Sequence, residues 1–63
     1  MSKTAEIRTE LVTTITTVQD LIKEAKPPVV QELVLAQRHL EDARMRLGVA
    51  LAYEEGKDPL GQR

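Results

Sequence analysis

The sequence predicts an all-α fold, an antiparallel two-helix hairpin that associates with copies of itself or with a partner. Three observations lead there. Apolar residues recur at spacings of three and four in both halves of the chain, the period of one helical face. Lys26-Pro27-Pro28 separates the halves. With 63 residues and no cysteine, the chain is too short to rely on its own core, because chains this small bury only about 60% of their unfolded surface.

Taken in order, Ile7, Leu11, Ile15, Val18, Ile22 and Ala25 mark a first helix over about 5–26. Its awkward stretch is Val12-Thr13-Thr14-Ile15-Thr16-Thr17-Val18, whose β-branched side chains favour strands. Val12, Ile15 and Val18 repeat every third residue, however, whereas a half-buried strand alternates every second one. Tertiary packing must supply most of this helix's stability. Thr13, Thr16, Thr17 and Gln19 form a polar, uncharged outer face.

The turn is expected at 26–28, since proline disfavours helix in the residue before it yet fits the first turn after it. So short a reversal makes the helices antiparallel neighbours. The second helix is expected over about 28–55, where Leu33, Ala36, Leu40, Ala43, Leu47 and Ala50 alternate by three and four as in a heptad seam. A further apolar row, Val30, Val34 and Leu51, makes the stripe wider than one partner helix covers. Gly56 suits a left-handed helix stop and Pro59 discourages resumption. The segment 57–63 reads as a mobile tail, and 1–63 as a single helical-hairpin domain.

Composition excludes several function classes. Disulfides are impossible, and one histidine, His39, is too few for a structural zinc site, so self-association remains as the way to add buried area. A net charge of -1 argues against DNA or RNA as a general partner. No apolar stretch reaches membrane-span length and Met1-Ser2-Lys3-Thr4 has no apolar core, so a cytoplasmic protein without membrane attachment is expected.

Enzyme chemistry fails on inventory. A nucleophilic triad has only His39 to draw on, and among Gln37, Arg38 and Glu41 that residue reads as a solvated side chain. Glu41-Asp42 and Glu54-Glu55 are sequence neighbours that splay apart around a helix. No phosphate loop or metal-ligand spacing occurs, and no catalytic residue, metal or cofactor is expected.

The informative segment is Gln37 to Gly48. A glycine inside a helix costs about 1 kcal/mol against alanine and beside a seam permits close approach, which singles out Gly48. Arg38, Asp42 and Arg46 stand four residues apart and are expected to form an exposed ion-pair ladder. Arg44 lies on another stripe, with Glu41 as its same-helix partner. Beside an oligomer seam it can pair with a carboxylate of the next subunit or fork onto phosphate oxygens; spacing alone favours the ion pair.

Over Glu32-Leu33-Val34-Leu35-Ala36 and His39-Leu40-Glu41-Asp42-Ala43-Arg44-Met45-Arg46-Leu47-Gly48 the chain resembles the helical-hairpin domain shared by phage anti-CBASS and anti-Thoeris sponges, which sequester cyclic-nucleotide immune signals. The first helix matches in pattern alone. The resemblance implies a homohexamer of paired trimers, acting in the cytoplasm of an infected bacterium. It implies that cyclic di- or trinucleotides are bound in pockets between subunits and are not cleaved. Arg44 matches the motif arginine. Trinucleotides in that family are held near three-fold axes by arginine and small polar side chains, and dinucleotides in pockets lined by an aromatic. Here the first helix holds no aromatic residue and Tyr53 in the second is the only one, leaving a threonine-lined substitute. Lys26 at the turn can meet a phosphate as a point charge. The candidate ligand-binding residues are thus Arg44, Gly48, Arg46, Tyr53 and Lys26. The rival reading is a structural or regulatory adaptor whose hairpin binds another protein's helix.

Overall fold

Residues 2–56 are described by the computed structural model. Two helices, α1 (Lys3–Glu24) and α2 (Val29–Glu54), pack as a hairpin, with no strand among the described residues. The expected tail 57–63 lies outside them.

α1 starts two residues before the expected position 5, because Ser2 caps it. The Ser2 hydroxyl accepts the Ala5 N–H at 3.1 Å and satisfies one of the helix's orphan donors. The threonine run stays helical by turning its hydroxyls inward on the backbone. Thr9, Thr13, Thr14, Thr16 and Thr17 each donate to the carbonyl four residues earlier, at 3.1 to 3.4 Å, so exposed β-branched side chains gain a partner within the helix.

The reversal lies where the prolines put it. α1 stops at Glu24 and Ala25 is extended, with ψ 156; its N–H still reaches Leu21 O at 3.0 Å. The Pro27–Pro28 peptide is cis. Pro28 gives α2 no side-chain cap, and the first turn is closed by Val30 N–H donating to Lys26 O at 3.1 Å. At the far end Gly56 takes φ +83 and its N–H donates to Tyr53 O at 3.0 Å, the left-handed stop expected of it. The Thr4 hydroxyl donates to the Glu54 carboxylate and ties the open ends together.

The core is thin. Ile15, at 4% exposure, is the one buried residue among those described, flanked by half-buried Leu11, Val18 and Ile22 of α1 and by Ala25 just after it. α2 contributes half-buried Val30, Leu33, Ala36, Leu40, Leu47 and Leu51. Two expectations need correction. Ile7 is 52% exposed, and Arg8 takes its inward place, half-buried. Ala43 and Ala50 are exposed, and the inner face moves to Gly48, Leu51 and Ala52. A strict heptad seam has period 3.5 and a straight helix 3.6, a drift of about 20° per heptad, so a seam that fits at Leu33 has rotated away by Ala50.

That drift leaves an opening. Asp42, Ala43, Arg44, Met45 and Arg46 are all exposed. Five successive residues exceed one helical turn, so this part of α2 is left uncovered by α1.

Candidate functional site

At this opening the two helices form an open cleft of about 440 Å³, lined by Arg8, Glu41, Arg44, Met45, Gly48 and Val49. Arg44 stands at its mouth. Its Nη1 is 3.5 Å from Glu41 Oε1, and both side chains are 44% exposed, so water screens the pair and holds it weakly. This is the same-helix partner expected from spacing.

Arg8 reaches across from α1. Its Nε donates to the Arg44 backbone carbonyl over 3.4 Å, a long bond, and its guanidinium covers Gly48. A Cβ added to Gly48 would lie 3.3 Å from Arg8 Nε, 3.6 Å from Nη2 and 3.7 Å from Cζ. The close approach that the glycine announced is therefore made by an arginine of the same chain. Arg8 was missed as a site residue because Ile7 beside it completes an apolar stripe. A signal was present: read back from Ile15, strict alternation of four and three lands on Leu11, Arg8 and Thr4, all of which are half-buried.

Of the five expected ligand residues, Arg44 and Gly48 meet in the cleft and the others do not line it. Arg46 is exposed and, two positions beyond Arg44, points about 200° around the helix. Tyr53, 42% exposed, is nine positions on, about 13 Å along the axis and on the opposite side. Lys26 is exposed at the turn, more than 20 Å from Arg44 at about 1.5 Å of helix rise per residue.

The ladder expected of Arg38, Asp42 and Arg46 is not formed. The ion pairs among the described residues are Arg44–Glu41 and Lys23–Asp20, the latter at 3.9 Å. Exposed side chains such as these gain too little from pairing to give up their rotamer freedom. Arg38 instead edges a shallow apolar depression of about 400 Å³ with Val30, Gln31, Val34 and Leu35, on the side of α2 turned away from α1. Leu35 is 45% exposed there.

No family model, curated protein or solved structure matches the chain. No helix of the described residues is long and apolar enough to cross a membrane.

Proposed function

We propose that the protein is a phage-type sponge, a homo-oligomer that binds cyclic di- or trinucleotides and sequesters them without cleavage in the cytoplasm of an infected cell. The observation that carries the reading is that Arg44 and Gly48, the arginine and glycine of the motif-like segment, line one open cleft on a stretch of helix that α1 leaves uncovered. Arg44's tie to Glu41 is solvent-screened, so a phosphate can replace the carboxylate at little cost. Repetition of the arginine by symmetry concentrates positive charge in an assembly whose subunits are each slightly acidic. A hexamer is the assembly this reading entails.

The test is calorimetry with cyclic di- and trinucleotides, followed by chromatography of the recovered ligand. Binding with intact recovery is expected. Failure of both ligands to bind, or recovery of a linear nucleotide, ends the reading. The adaptor alternative draws support from the depression of half-buried Val30 with exposed Val34 and Leu35, which suits an apolar helix face. Binding of a foreign helix with indifference to cyclic nucleotides would favour it.

A further inference from the structure

We infer that Arg8 is a second phosphate-binding residue of this cleft, and that position 48 is glycine in order to seat its guanidinium. The inference rests on reading the cleft as a phosphate site. Arg8 lies on the inward stripe of α1, where hydrophobic residues occupy the following turns, and its side chain is half-buried. A charge so placed is ordinarily paired. Here no carboxylate among the described residues pairs with it, and its own helix offers Thr4, Ala5, Leu11 and Val12 at three and four residues' distance, none of them acidic.

Its one hydrogen bond runs from Nε to Arg44 O. That contact aims the guanidinium without neutralising it, and it leaves the Nη1 and Nη2 donors unused by the described residues. The same bond fixes Arg8 to the backbone of the residue whose own guanidinium enters the cleft. Two arginines from two helices thus face one carboxylate, Glu41, an excess of one positive charge in a chain whose net charge is -1. An anion resolves that excess, and two planar forks match an anion with several phosphoryl oxygens, a phosphodiester or pyrophosphate group, better than a monovalent carboxylate.

Gly48 makes the arrangement sterically possible. Alanine is the better helix former, and the atoms a methyl group would meet belong to the end of a flexible side chain, so the fold tolerates alanine here. The seat of Arg8 does not, because the guanidinium must move by some tenths of an ångström. Stability and binding therefore pull in opposite directions at this position.

The experiment titrates the full chain with inorganic pyrophosphate, and separately with cyclic di- and trinucleotides, while arginine Nε–H resonances are followed by NMR. The Arg8 and Arg44 signals are expected to shift together. Arg8→Ala should weaken pyrophosphate binding by about tenfold or more, and Arg8→Lys, which keeps the charge but loses the fork, by less. Gly48→Ala should melt at the same temperature or higher and yet bind more weakly. Pyrophosphate binding at wild-type strength in Arg8→Ala or in Gly48→Ala overturns the inference, as does a wild-type protein indifferent to pyrophosphate. Cyclic-nucleotide binding that persists unchanged in Arg8→Ala overturns it while sparing the sponge reading. Arg8-dependent pyrophosphate binding with indifference to cyclic nucleotides supports the inference and ends that reading.

Discussion

Arg44 and Arg46 are two positions apart and make a controlled pair. Both are exposed, but Arg44 lines the cleft and Arg46 does not. Arg44→Ala is expected to weaken cyclic-nucleotide binding by about 1.5–3 kcal/mol per contact, and Arg46→Ala to change it little, as read from binding isotherms. Should three copies surround one ligand, the losses act together and trinucleotide binding disappears. An Arg44→Ala protein that dissociates instead identifies the side chain as an interface ion pair. Segment 37–48 pointed to this place from sequence because two residues broke local expectation there, a helical glycine and an arginine off the main stripe. Arg8 stayed hidden for a physical reason. Hydrophobicity chooses Ile7 over its neighbour when the first turn is taken alone, and only the register imposed by Ile15 turns Arg8 inward.

At the level of the helices, both elements and the turn were legible, with ends displaced by one or two residues. Proline chemistry placed the turn, and period placed the faces. What spacing did not carry was capping and drift. Ser2→Ala is expected to lower stability by about 1 kcal/mol through loss of the Ala5 N–H partner, seen in a helical circular-dichroism melt. The threonines should respond in the other direction. Thr13, Thr16 and Thr17 are exposed, so their replacement by alanine removes little packing and gains a few tenths of a kcal/mol each in helix propensity. A lower melting temperature in the triple alanine variant would mean that the threonine face is covered by another chain.

For the molecule as a whole, the hairpin buries one side chain among the described residues, Ile15, and leaves Ile7, Val12, Leu21, Val29, Val34, Leu35, Met45 and Tyr53 with more than a third of their surface exposed. So thin a core makes a single hairpin marginal, and association is expected to add buried area. Sedimentation should find a homo-oligomer at micromolar concentration, and the melting temperature should rise with concentration; a folded monomer with a concentration-independent melt would refute both. Truncation separates the two kinds of packing. Ile15→Ala should cost about 2–5 kcal/mol, because the hairpin itself encloses that side chain. Leu40 and Leu47 are only half-buried within one hairpin, so a comparable loss at either site requires a neighbouring subunit. The exposed apolar side chains were readable in advance from the width of the apolar stripe, whereas any pairing of those faces depends on contacts that one chain does not arrange.

Tyr53 stands one residue before the carboxylate that joins the open ends of the hairpin, and the chain contains no Trp or Phe. Near-ultraviolet signals therefore come from a single known position. The ring is 42% exposed, so its emission is open to quenching by a dissolved solute such as acrylamide. Fraying of the two helix ends, and any coverage by a neighbouring subunit, can be followed at that ring without attaching a label.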